Sequence, residues 1–99
     1  MGEQRSIIET DQVRVRIMEL APGEELAYHY HTEVGDSFFC LTGRIVVTAR
    51  APEEAWQLGP GELCQVAAPR PHSVANLSLA APASYLLVQG VGRYDFNQL

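Results

Sequence analysis

The chain has 99 residues, 46% apolar and 19% charged, with a formal net charge of −5. That length makes a single domain, residues 1–99, with a modest core, and the composition is that of a soluble globular protein. All seven basic residues are scattered arginines, which excludes a basic nucleic-acid surface.

The N-terminal MGEQRSIIET has no apolar core of the signal-peptide kind, and no run is long and apolar enough to span a bilayer. A cytoplasmic protein with neither nucleic-acid nor membrane partners is expected. Its two cysteines, Cys40 and Cys64, sit in apolar runs and read as reduced core thiols, with a redox or ligand role as the alternative.

Strand-like alternation runs through nearly the whole sequence. Residues 1–10 read as an edge strand or a swapped arm. In VRVRIMEL, Val13, Val15 and Ile17 point one way while Arg14 and Arg16 point the other. Pro22–Gly23 ends that strand. LAYHYH (26–31) and DSFFCL (36–41) are the next two strands, and TGR turns into RIVVTAR, so residues 37–50 are expected to form a hairpin. The polar loop APEEA leads to WQL, the turn GPGE, LCQVAA, the proline-flanked PRPH, SVANLSL and finally the long strand SYLLVQGV. Short strands with turn signals every eight to twelve residues predict an all-β barrel or jelly roll, in which closure removes exposed edges.

The tail VGRYDFNQL carries Tyr94 and Phe96, which pack either onto the barrel or across a dimer. Together with outward-facing Val, Leu and Phe, it leads us to expect a homodimer.

The chain has three histidines. His29 and His31 stand one residue apart, so on an extended strand they share a face, with Cα atoms about 6.5–7 Å apart, close enough for both rings to meet one ion. Tyr28 and Tyr30 face the other way. An HxH pair alone is more often a half-exposed polar pair than a metal grip. The surrounding spacing is what distinguishes this one: Gly23-x5-His29-x-His31-x4-Asp36-x6-Gly43, then Gly61-x5-Ala67-x-Pro69-x2-His72-x3-Asn76.

This spacing resembles the two motifs of the cupin superfamily, G-x5-H-x-H-x3–4-E-x6-G and G-x5-P-x-G-x2-H-x3-N. Gly23, His29, His31, Gly43, Gly61, His72 and Asn76 match in identity and register across residues 23–43 and 61–76. All the histidines fall on positions that the pattern reserves for imidazole ligands, which random placement would seldom achieve. The resemblance implies a cupin-type jelly-roll barrel of six to eight strands around one divalent transition metal (Fe, Mn, Ni, Zn or Cu), bound by His29, His31, Asp36 and His72. Neutral imidazoles with one carboxylate suit such ions.

Three positions depart from the pattern. Asp36 replaces the glutamate and is shorter by about 1.5 Å, so it binds directly, binds through water or leaves a position open. Glu33 is a candidate substitute, or a solvated turn acid. Ala67 replaces the proline and Pro69 the glycine, so the turn before His72 takes a different path, and His72 is either a ligand or a residue lining the mouth. Asn76 reads as structural, with a contact behind the ligands as the alternative.

Ala27, Val74, Phe38 and Cys40, in phase with the ligands, are expected to line a largely apolar pocket. Arg14 and Arg16 either hold an anionic substrate at its end or form an exposed strand face. Three functions are open: a metal-dependent enzyme (dioxygenase-like, or an isomerase or lyase) on a small organic substrate, a non-catalytic small-ligand or metal-binding module or sensor, and a barrel that has lost its metal. The sequence assigns no catalytic residue.

Overall fold

The computed structural model describes residues 4–99, and every regular element in it is a strand. In chain order these are β1 (Gln4–Glu9), β2 (Arg14–Leu20), β3 (His29–Tyr30), β4 (Gly35–Thr42), β5 (Ile45–Ala49), β6 (Glu54–Leu58), β7 (Leu63–Val66), β8 (His72–Ala75), β9 (Ala83–Gly90) and β10 (Asn97–Gln98). They form two five-stranded antiparallel sheets, ordered β1-β2-β9-β4-β7 and β10-β3-β8-β5-β6, packed as a jelly-roll barrel. The ten strands exceed the expected six to eight because β3 and β10 are two-residue pairings at the barrel mouth. No helix among the described residues is long and apolar enough to cross a membrane.

Period-two alternation builds the interior. Ala83, Tyr85, Leu87 and Gln89 of β9 are buried, as are Asp36, Phe38 and Cys40 of β4 and Ile45, Val47 and Ala49 of β5. Both cysteines are free and buried within this core, and burial raises the Cys64 thiol to about 11, so it stays protonated and inert at neutral pH.

β2 runs against the simple polarity rule. Its register pairs Arg14 with Gln89, Arg16 with Leu87, Met18 with Tyr85 and Leu20 with Ala83, so the arginines share the inward face. Val15 and Ile17 lie opposite Val88 and Leu86 on the outer face. Leu20, only 1% exposed, anchors this phase, since a one-residue slip would turn it to solvent.

Several expectations need correction. Residues 37–50 are not a hairpin: β4 bonds to β7 and β9, and β5 bonds to β6 and β8 in the opposite sheet. Both edges of β4 are already taken, so the Thr42–Arg44 link turns a corner between sheets. Gly43 makes that corner at φ 73°, and a Cβ there would lie 2.9 Å from the Ala83 Cβ.

The LAYHYH strand shrinks to His29–Tyr30: before it, the Leu26 N–H donates to the Val74 carbonyl (3.0 Å), the Ser73 hydroxyl donates to the Leu26 carbonyl (2.5 Å) and Glu25 forms an isolated bridge with Ala75, contacts that do not continue the ladder. Alternation therefore breaks there: Ala27 is exposed and Leu26 borders the interior in its place. SVANLSL likewise ends as strand at Ala75. Of the N-terminal alternatives, β1 is an edge strand on β2 of its own chain; residues 1–3 lie outside the described ones.

Asn76 has the structural role. Only 1% exposed, it donates through Nδ2 to the carbonyls of Ala81 (2.8 Å), Ala21 (3.3 Å) and Leu20 (3.4 Å), and its Oδ1 accepts the Ser78 N–H (3.0 Å). It thus ties the β8–β9 loop to the end of β2. Asn76→Ala leaves these main-chain groups without partners and should destabilise the fold by about 1–3 kcal/mol, read as a lower urea midpoint at unchanged m-value.

Candidate metal centre

The four residues singled out in the sequence meet at one point between the sheets. His29 on β3 lies directly opposite His72 on β8, and His31 follows one residue past β3. Asp36 comes from β4 in the other sheet, with Gln89 of β9 directly opposite it. All four are buried, and their ligand atoms lie within 4.8 Å of one another. The altered turn does not displace His72: Arg70 pins it by donating from Nε to the Arg50 carbonyl (3.0 Å) and from Nη2 to Glu54 (2.7 Å).

Each imidazole is oriented from behind. Nδ1–H donates to a main-chain carbonyl in every case: Ala27 for His29 (2.8 Å), Asp95 for His31 (2.6 Å) and Arg70 for His72 (2.9 Å). These bonds assign the Nδ1–H tautomer and leave the Nε2 lone pairs for the interior.

The Asp36 carboxylate reaches the imidazoles. Its Oδ2 lies 2.7 Å from His72 Nε2 and 3.2 Å from His31 Nε2. With Nδ1–H already engaged, an Nε2 can donate to Oδ2 only as an imidazolium, so the cluster calls for positive charge where these atoms meet.

The titration behaviour agrees. Desolvation, which would raise the Asp36 pKa, is outweighed by hydrogen bonds from His31 and His72, and its carboxyl is held well below the usual range. At His31 desolvation is likewise outweighed by the hydrogen bond and charge of Asp36, and the pKa is raised. His29, which makes no hydrogen bond to Asp36, has its pKa lowered chiefly by desolvation.

A divalent cation answers the same demand. Donors about 2.1 Å from a common ion stand within about 4.2 Å of one another, so closing this set takes side-chain movements of about half an ångström. His29, His31, Asp36 and His72 could therefore hold a metal ion.

Two contributors were not identified from the sequence. Gln89 donates from Nε2 to Asp36 Oδ1 (3.2 Å) and accepts on Oε1 from Arg16 Nη2 (2.7 Å). Its signal was there as the one polar residue in the inward phase of SYLLVQG. The second is the tail: β10 pairs with β3, Phe96 stacks on His29 (centroids 4.5 Å, planes 21° apart), and Tyr94 lies 5.2 Å from His31. Of the alternatives for the tail, packing onto the barrel is the one observed, across its mouth. No short-range pattern in the sequence pointed there.

The other candidates divide. Arg16 lines the cavity beside the centre, whereas Arg14 lies outside it, with its guanidinium 3.9 Å from the Tyr94 ring centroid and its Nε 3.6 Å from Glu9. Glu33 is a turn acid whose Oε1 accepts the Arg93 N–H (3.2 Å), and it is not among the converging donors. The cavity measures about 240 Å³; Phe38 and Val74 line it as expected, with Met18, Leu26 and Leu87 as further apolar wall, while Cys40 lies deeper in the core.

The Cupin domain family profile matches residues 16–89. Among solved structures, TT1209 from Thermus thermophilus is similar at TM-score 0.81 and 26% identity, covering 92% of this chain and 84% of that one. A cupin superfamily protein (DSY2733) from Desulfitobacterium hafniense is similar at TM-score 0.80 and 18% identity, covering 92% and 78%. A recombinant oxalate oxidase in complex with glycolate is similar at TM-score 0.82 and 13% identity; this chain is 96% covered and spans 53% of that one. No curated protein matches the sequence. With the profile covering most of the barrel and both motif histidine sets in place, the chain belongs to the cupin family.

Proposed function

We propose that the protein is a metal-dependent enzyme acting on a small organic molecule, dioxygenase-like or an isomerase or lyase, with His29, His31, Asp36 and His72 as ligands of one divalent transition metal. The observation that carries this reading is a buried three-histidine, one-carboxylate cluster opening onto a cavity of about 240 Å³. Ligand pockets for larger molecules occupy about 300–1,000 Å³, so this one suits a small substrate. A bound metal of this class supplies Lewis acidity and, where redox-active, electron transfer.

The chain's own residues do the rest. Main-chain carbonyls hold the imidazoles in the ligating tautomer, Gln89 orients Asp36, and the tail aromatics restrict water at the mouth. The likeness to an oxalate oxidase is one of fold and does not select the reaction.

The second reading is a non-catalytic metal or ligand module, favoured by the donor count: four donors are also what a closed tetrahedral site uses. Free buried thiols support a reduced, cytoplasmic setting.

Protein purified without an affinity tag should carry a single transition-metal ion per chain by elemental analysis, and His31→Ala should lose it. Equal metal in both would sink the ligand assignment. Gln89→Leu should keep the site but weaken metal affinity by about 10–100-fold, measured by competition with a chelating dye.

Anaerobic reconstitution with Fe(II), followed by oxygen uptake against catechols, diketones and thiols, separates the two readings. Turnover above free Fe(II), absent in His31→Ala, is expected. Metal that only raises the melting temperature points to the module.

We further propose a homodimer through the outer face of the β1-β2-β9-β4-β7 sheet. Val15, Ile17, Phe39, Leu86 and Val88, all half-buried, face outward there with no second layer of the described residues over them, beside Leu63 at 52% exposure. Solution scattering at micromolar concentration should give twice the chain mass; a monomer mass refutes it.

A further inference from the structure

Two polar side chains that line the cavity are not among the converging donors. Arg16 is the first. Its Nη1 and Nη2 donate to the neutral amide oxygens of Gln4 and Gln89, and no carboxylate among the described residues forms an ion pair with it. Its Nε–H is buried and has no hydrogen-bond partner among the described residues. The second is Tyr85, 0% exposed, whose hydroxyl is also buried without a partner among them. Both side chains line the cavity that holds His29, His31 and Asp36.

Among the described residues the guanidinium meets two neutral amides and, at 5.9 Å, the Tyr94 ring, but no carboxylate, and the phenol hydroxyl meets no hydrogen-bond partner; such groups are costly to keep buried. Both are satisfied by an acceptor carrying one negative charge. We propose that the cavity binds a small organic monocarboxylate, its carboxylate accepting from Arg16 Nε–H and Tyr85 O–H and its apolar body lying against Met18, Leu26 and Phe38. The observations favour a carboxylate over a phosphate. One guanidinium, with two of its nitrogens already committed, balances a single charge, and Arg14, the next cation along β2, lies outside the cavity beside Glu9. This deepens the enzyme reading above by naming its substrate class, and it rests on that reading for its chemical meaning, though Arg16 and Tyr85 are not themselves metal donors.

The test is binding of isovalerate, its neutral isostere isovaleramide, and inorganic phosphate. It is measured by calorimetry and melting temperature on metal-free and on zinc-loaded protein. Isovalerate should bind both forms at least tenfold more tightly than the amide or phosphate. Tyr85→Phe removes an unpartnered hydroxyl, so without ligand it should melt no lower than wild type, yet bind isovalerate about tenfold more weakly. Arg16→Met should abolish the preference for acid over amide.

Equal affinity for acid and amide, tighter binding of phosphate, or unchanged isovalerate affinity in Tyr85→Phe would overturn the proposal. Zinc uptake in the same samples is scored separately. Protein that takes zinc but not isovalerate defeats the carboxylate and leaves the metal centre, whereas isovalerate binding without zinc uptake defeats the metal centre alone.

Discussion

Three imidazoles and a carboxylate packed into a buried interior need positive charge between them. Here the constraint is sharp, because every Nδ1–H is committed to a main-chain carbonyl and Asp36 Oδ2 sits against two Nε2 atoms. Much of the surrounding structure serves that point. The short β3 and β8 place His29 across from His72, β4 brings Asp36 from the opposite sheet, and the tail supplies the carbonyl behind His31. With the charge supplied the group is stable; without it, buried acceptors face one another.

The layer behind the cluster is a relay of amides and cation. Asp36 is met by Gln89, and Gln89 by Arg16, so the carboxylate is steered by a neutral donor while the guanidinium stands one residue further away. A guanidinium placed directly on Asp36 would compete with a metal for the carboxylate. Interposing Gln89 keeps the cation inside the barrel and leaves Asp36 for the cluster. It also gives Arg16 a partner on the inward face of β2, against the usual polarity of a half-buried strand.

The parts of the centre that were legible in the sequence are those carried by local spacing. HxH on an extended chain puts two rings on one face whatever the rest of the fold does, and the glycines at 23, 43 and 61 sit at positive φ (73°, 73° and 84°), where turns need them. Alternation correctly gave the inward phase of Phe38 and Cys40. It failed at Ala27, where the backbone leaves the strand, and at the supposed hairpin. Alternation records which face is buried and says nothing about which neighbour a strand bonds to.

The sequence by itself determined the all-β class, through period-two alternation, and through the resemblance of its motif spacing it pointed to the family and to His29, His31, Asp36 and His72 as candidate donors. Only the tertiary structure decided that Asp36 reaches the imidazoles, that Gln89 stands behind it, that Arg16 and not Arg14 enters the cavity, and that Tyr94 and Phe96 line its mouth. Each of these depends on pairing between strands distant in sequence. Gln89 meets Asp36 across 53 positions and Asp95 meets His31 across 64, and such registers are set by packing of the whole barrel rather than by any local pattern.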